Sequence, residues 1–146
     1  MQKPQNLDPA VEARARAGFA LQGLMKTIGA EITHVAAGEC RIEMPFDAAF
    51  TQQDGFVHAG IITSIVDTAC GFAAYTLMGE SSGVLSVEYK VNFLRPAAGE
   101  KFIATGRVLK PGRTLTVCSG EVTAISKDGE NLIAAMQATM MAIPRN

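Results

Sequence analysis

The hydrophobic positions change period several times along the chain, and each change marks an element. Asp8-Pro9 reads as an N-cap followed by proline at the first helical position, where its missing N–H costs nothing. Ala17, Leu21, Leu24, Met25 and Ile28 then recur at helical spacing, and Gly29 supplies a stop. Arg14, Arg16 and Lys26 make the solvated face of this predicted helix. From Ala30 the period falls to two. Cys40, Ile42, Met44 and Phe46 alternate with Arg41, Glu43 and Pro45, which marks a half-buried strand. The preceding run from Glu31 to Val35 can pair with it across Ala37-Gly38-Glu39. Residues 47–58 read as a loop, and an almost wholly apolar helix follows over residues 59–78, ended by Gly79-Glu80-Ser81-Ser82-Gly83. Four strand-like runs complete the chain. In the first, Val87, Tyr89, Val91 and Phe93 alternate with Glu88, Lys90 and Asn92; the others cover residues 101–109, 114–125 and 131–143. Lys110-Pro111-Gly112-Arg113 reads as a tight turn, and Asp128-Gly129 is a strong two-residue hairpin signal. Residues 1–8 are polar and expected to be flexible.

The order helix, hairpin, helix, four strands joined by short turns predicts an α+β fold. An antiparallel meander carries the long apolar helix on one face. A chain of 146 residues suits one domain, residues 1–146. Such a domain buries roughly 70% of its unfolded surface, enough for a core without metal or disulfide. The net charge of −1 offers no whole-molecule attraction for nucleic acid or an anionic membrane. Cys40, Cys70 and Cys118 form no Cys-x-x-Cys pair and are expected to be small buried hydrophobes in a reducing compartment. His34 has no cysteine or carboxylate spaced to share a metal, so it reads as an ordinary strand histidine. The N-terminal residues lack the apolar core of a secretory signal, and no run approaches the ~20 apolar residues of a membrane span. A cytoplasmic protein without metal is expected. No Gly-x-Gly-x-x-Gly or Gly-Lys-Ser/Thr motif is present, which removes the nucleotide-binding α/β classes.

One residue breaks the pattern. Asp67 lies in the middle of the apolar helix between Ile65, Val66, Ala69 and Cys70. Positions sharing its helical face are Gly60, Thr63, Ser64, Gly71 and Ala74, all small, while Ile61, Ile62, Ile65 and Tyr75 can anchor the opposite face. A buried carboxylate must be hydrogen-bonded or become neutral, and an ionised one can attack an acyl carbon or take a proton from water. The helix start supplies the complement. The amides of Ala59 and Gly60 have no intrahelical acceptor, and an acyl oxygen docked there would be polarised as in an oxyanion hole. Asp67 lies ~10–12 Å further along the axis, too far to serve the same carbonyl within one chain. An antiparallel helix from a second copy would close that gap. His58, at the helix start where the dipole disfavours a cation, is expected to be neutral and to brace the loop.

The run Gln52-x-x-Gly55-x-x-His58-Ala59-Gly60, followed by Asp67 and a Gly/Ala-rich continuation, resembles the hotdog-fold acyl-CoA thioesterases of the phenylacetate-pathway (PaaI-like) type. The run from Ser86 to Pro96, then Gly99-Glu100 and Val108-Leu109-Lys110-x-Gly-Arg113, is similar to that family as well. The resemblance covers about residues 15–143. It implies a hotdog, a long central helix wrapped by a six-stranded antiparallel sheet, with two subunits joining sheets and two dimers making a homotetramer. It implies hydrolysis of an acyl- or aryl-CoA thioester to the free acid and CoA, with no cofactor beyond the substrate's own CoA. Carried over by position, Asp67 is nucleophile or general base and Gln52 orients the water or thioester. The amide of Ala59 or Gly60 polarises the carbonyl, and Ser86 approaches Asp67 from the facing subunit. Where the family often has asparagine and glycine, this chain has Gln52 and Ala59. A dehydratase of the same fold would want a different histidine–carboxylate arrangement and a proline-glycine helix entry.

Charge distribution agrees with a CoA ligand. Between Ser81 and Leu115 six basic residues stand against two acidic ones, and Arg95, Lys110 and Arg113, at strand ends and a turn, are the candidates for phosphate contacts. Phe50, Phe56, Phe72 and Tyr75 could line an aromatic or medium-chain acyl pocket. The alternative function is a non-catalytic acyl-CoA-binding or regulatory hotdog, which would tolerate loss of the carboxylate.

Overall fold

In the computed structural model, which describes residues 6–146, six antiparallel strands form one sheet around a single long helix. The elements are α1 (Pro9–Ala20), α2 (Gly23–Thr27), β1 (Glu31–Ala36), β2 (Glu39–Pro45), α3 (Ala59–Tyr75), β3 (Ser82–Phe93), β4 (Lys101–Lys110), β5 (Leu115–Ser126) and β6 (Gly129–Pro144). A short 3-10 turn at Ala48–Phe50 interrupts the loop before α3. This is the hotdog fold with an N-terminal helix. Residues 1–5 of the segment expected to be flexible lie outside the described residues. Asp8 in that segment is fixed instead, accepting from the Ala10 N–H at 2.9 Å as the α1 cap.

The strand order is β1-β2-β4-β5-β6-β3. The expected meander therefore holds for β4, β5 and β6, and β3 departs from it by pairing with β6 at the far edge. Residues 94–100 make this possible. Leu94 N–H donates to Ile133 O and Glu100 N–H to Ile125 O, so the connection crosses the ends of β6 and β5 before β4 begins.

The core lies between α3 and the concave face of the sheet. Cys40, Gly106, Gly120 and Met136 are successive partners across β2, β4, β5 and β6, and the helix passes over this row. Glycine is obligatory at its centre. A Cβ on Gly106 would sit 2.4 Å from the Ala69 carbonyl carbon, and one on Gly120 would sit 2.5 Å from Val66 Cγ2. Ile62, Ile65, Val66, Ala69, Cys70 and Ala73 are buried by this approach.

The N-terminal helix differs from its expected form. Leu21 N–H bonds Gly18 O and Gln22 N–H bonds Phe19 O, which tightens and ends α1, and the chain restarts at Gly23 as α2. The apolar stripe is thereby broken: Met25 and Ile28 are buried, but Ala17 and Leu24 are exposed and Leu21 is 85% exposed. Arg14 turns inward rather than to solvent. Its guanidinium donates to Gly79 O at 2.7 Å and Met78 O at 2.9 Å, which supplies donors to the carbonyls beyond the C-terminal end of α3. That end comes at Tyr75 rather than residue 78. Phe46, expected inside β2, lies past its end and is exposed.

The Gly106 contact generates a direct test. Gly106→Ala is expected to lower unfolding stability by about 3 kcal/mol, because the obstructing atoms are helix backbone and cannot swing aside. Gly23→Ala, with open space around its Cβ, is expected to be neutral or to stabilise by about 0.5 kcal/mol. Paired urea melts of the two variants check this.

Candidate active site

The structure places five of the predicted site residues on two cavities. Asp67 and Ser86 line one, of about 360 Å³, together with residues of α1 and the C-terminal half of α3. Gln52, Ala59 and Arg95 line the other, of about 270 Å³, at the start of α3.

Asp67 is half-buried, and the Ser86 hydroxyl donates to its Oδ1 at 2.7 Å. Ser86 is in the same chain, on β3. The approach from a facing subunit implied by the resemblance is thus corrected: pairing β3 with β6 lays Ser86 beside Met140 and directly against α3. Among the described residues no cation lies within ion-pair distance of Asp67. Burial raises its pKa above the ordinary 3.8, and the Ser86 hydrogen bond opposes that rise. The small strip behaves unevenly. Gly71 lines the cavity with Asp67, while the Thr63 and Ser64 hydroxyls bond back to Ala59 O and Gly60 O.

At the other cavity the loop is held by its own hydrogen bonds. Gln52 N–H donates to Phe56 O, Gly55 N–H to Gln52 O, and Gly55 takes φ +85, open to glycine without strain. The Gln52 side-chain oxygen accepts from the Asp54 N–H, which fixes the amide orientation and leaves its NH2 group as a donor. His58 caps α3: its Nδ1 accepts from the Gly60 N–H at 2.8 Å, so that nitrogen carries no proton and the ring braces the helix entry. The same bond occupies Gly60. Ile61 and Ile62 N–H both donate to His58 O. The Ala59 N–H, by contrast, has no acceptor among the described residues and lies on the cavity with Gln52. Of the two amides proposed as oxyanion donors, the one open to a ligand is Ala59.

The basic candidates are not brought together within one chain. Arg95 sits at the sheet end where Phe93 faces Ala134, and its Nη1 donates to Leu132 O at 2.7 Å. Lys110 and Arg113 flank the turn at the other end, where Leu115 faces Met141. Those β6 positions lie about 23 Å apart at 3.3 Å per residue. Lys101 and Arg107 pair with Glu43 and Glu39. Of the four aromatics, Phe72 and Tyr75 line the Asp67 cavity and Phe56 the other, while Phe50 lines neither. Sequence reasoning missed Leu21, Gln22 and Arg145, which also line the Asp67 cavity. The three cysteines are buried and free, as expected, and burial pushes Cys118 up to about 11 and Cys40 up to about 12, which leaves them without thiolate character. Among the described residues no group of metal-ligating side chains occurs and no helix is long and apolar enough to cross a membrane.

Comparison with known proteins adds to this geometry. The profile of the Thioesterase superfamily matches residues 54–129. Acyl-coenzyme A thioesterase 13 of Homo sapiens is 30% identical over 122 residues, covering 82% of this chain and 83% of that protein. The crystal structure of a thioesterase family protein from Silicibacter pomeroyi is 48% identical, with a TM-score of 0.90 over 92% of this chain and 98% of that one. The E. coli PaaI protein from the phenylacetic acid degradation operon shares the fold at a TM-score of 0.84 and 21% identity, over 97% and 99% of the two chains.

The raised pKa of Asp67 fixes the sign of two pH effects. The folded chain holds the Asp67 proton at pH values where the unfolded chain has released it, so this group's contribution to stability falls as pH rises from the unfolded to the folded pKa. Asp67→Asn is therefore expected to raise Tm at pH 7 and to leave it nearly unchanged below pH 3.8. Ser86→Ala removes the bond that favours the ionised form and should move the acid limb of any Asp67-dependent activity to higher pH. Calorimetry and a pH–rate profile measure the two effects.

Proposed function

The chain belongs to the thioesterase superfamily and is a thioester hydrolase, and on that premise we propose that it cleaves acyl-CoA thioesters in a site shared by two copies of itself. The observation carrying the reading is Asp67: a carboxylate inside an otherwise apolar helix, oriented by one hydroxyl, with no cation among the described residues to neutralise it and a cavity in front of it. Such a group costs stability, which a purely structural role would not justify.

In the proposed reaction the thioester oxygen docks against the Ala59 N–H, with the Gln52 NH2 as a second donor, at the positive end of the α3 dipole. Ionised Asp67 attacks the acyl carbon or takes the proton of a water that does so. The carbonyl π electrons move to the oxygen and are held by those donors. When they return, the C–S bond breaks: in the water route CoA leaves as the thiol with the proton that Asp67 took, and in the direct route it leaves as the thiolate, protonated by the water that later opens the anhydride. Hydrolysis of an Asp67 anhydride completes the first route. Both routes need the carboxylate ionised.

Two features support a shared site. Asp67 and Ala59 open onto different cavities, separated by two turns of helix. The sheet has two edges, β1 and β3, and on β3 Leu85 and Val87 are 52% and 53% exposed and Tyr89 and Phe93 are also exposed. An apolar edge of twelve residues invites pairing. Edge-to-edge pairing of two β3 strands about a two-fold axis gives a continuous sheet and sets the two α3 helices antiparallel, with each Asp67 facing the other copy's helix start. Arg95, Lys110 and Arg113 then serve the CoA phosphates from both copies, and two such dimers make the homotetramer.

Asp67→Asn is expected to lower kcat for an acyl-CoA about 10²- to 10⁴-fold while leaving CoA binding measurable by calorimetry. Near-normal turnover by this variant would overturn the mechanism. Gln52→Ala subunits mixed with Asp67→Asn subunits should recover part of the wild-type rate once hybrid oligomers are confirmed by native mass spectrometry. Full inactivity of those hybrids would count against the shared site.

A further inference from the structure

The Asp67 cavity has a second end with a chemistry of its own. From Asp67 it follows α3 past Gly71 and Phe72 to Tyr75, roofed by Leu21 and Val84, and its other charged lining residue is Arg145. Arg145 is fixed through its backbone, whose N–H donates to Ser81 O at 2.8 Å. Its side chain crosses Gly83, where an added Cβ would lie 3.1 Å from Nε. The guanidinium reaches the Tyr75 ring, 5.7 Å from its centroid, with Nη1 3.5 Å from the hydroxyl oxygen. No carboxylate pairs with it among the described residues.

Tyr75 adds a second observation. It is 2% exposed, and its hydroxyl, which accepts from Arg145, finds no acceptor for its own hydrogen among the described residues. The oxygen is satisfied by Arg145, and the O–H remains available as a donor to a group in the cavity. The Gln22 carboxamide lines the same end and also makes no side-chain hydrogen bond to a described residue. Arg14, on the Tyr75 ring at 4.5 Å, is committed to the carbonyls after α3 and offsets the negative end of that helix dipole.

We propose that this end of the cavity is a subsite for an anionic acyl terminus, and that the substrate is an acyl-CoA whose acyl group ends in a carboxylate. The inference rests on the thioesterase reading of Asp67. Ionised Asp67 repels a second carboxylate, and Arg145 and the Tyr75 O–H receive it, so the charge is directed to the far end. The separation is set twice over. Tyr75 is eight residues beyond Asp67, about 12 Å along the helix. Gly83, under Arg145, is three residues from Ser86, about 10 Å along β3. A span of that length, less a charge-assisted hydrogen bond, fits an acyl chain of roughly six to eight carbons.

The test compares octanoyl-CoA with its ω-carboxylated eight-carbon counterpart, with released thiol as readout. The wild-type protein is expected to favour the carboxylated ester in kcat/KM. Arg145→Gln should lower the carboxylated-to-plain ratio by roughly 10- to 100-fold. Arg145→Lys, which keeps the charge but not the fork, should restore part of it. A ratio unmoved by Arg145→Gln, in a variant whose Tm shows that it is folded, overturns the subsite. So does a wild-type preference for octanoyl-CoA. Hydrolysis of neither ester by a wild-type chain that cleaves an aryl-CoA overturns the subsite alone, and cleavage of none of the three overturns the acyl-CoA reading and the subsite with it.

Discussion

The α3 backbone can lie against the sheet because Gly106 and Gly120 present no side chain to it. With the helix seated over the row formed by Cys40, Gly106, Gly120 and Met136, Ile62, Ile65, Val66, Ala69 and Ala73 lose their contact with water. The depth and rotation of the helix are then fixed by close packing. Asp67 inherits its position from that constraint. It lies at the flank of the buried stripe, where the Ser86 hydroxyl of β3 donates to it. The desolvation that raises its pKa follows from the same seating that stabilises the fold.

Around this helix the reactive groups are distributed by axial position. Donors collect at the start of α3, where His58 occupies one orphan amide and leaves the Ala59 N–H open beside the Gln52 NH2 group. The carboxylate stands two turns on, and Tyr75 with Arg145 stands two turns beyond it. Along one helix there are thus open backbone donors at the start, a carboxylate in the middle and, at the far end, cations carried by neighbouring segments. Its dipole favours the first and the last of these. The exposed apolar side chains of β3 belong to the same arrangement, since the strand that holds Ser86 against Asp67 is also an edge strand with one side unpaired.

Much of this was legible in the residues. Strands β2, β4, β5 and β6 and the helix α3 lie within a few residues of their predicted limits, because each has a long, regular apolar period and marked ends. Asp67 stood out as a carboxylate in an apolar run, and the distance from it to the helix start already pointed to a site shared with a second chain. The N-terminal helix was misread. Its five apolar positions fit one continuous stripe, but Leu21 and Gln22 end α1 in a tight turn, and Arg14 is drawn inward by the free carbonyls after α3. A periodicity in sequence cannot register carbonyls sixty residues away.

The sequence by itself determined which segments fold and which residue is the candidate for the chemistry, since period, capping and the cost of a charge in an apolar run are local properties. It could not determine that β3 leaves the meander to pair with β6, and from that single pairing came the position of Ser86 in the same chain. Nor could it determine that His58 occupies the Gly60 amide, or that the last residues of β6 bring Arg145 to Tyr75. Those outcomes depend on which backbone donors and acceptors remain unmatched once the sheet has closed around the helix, and that is known only when every strand has its neighbour.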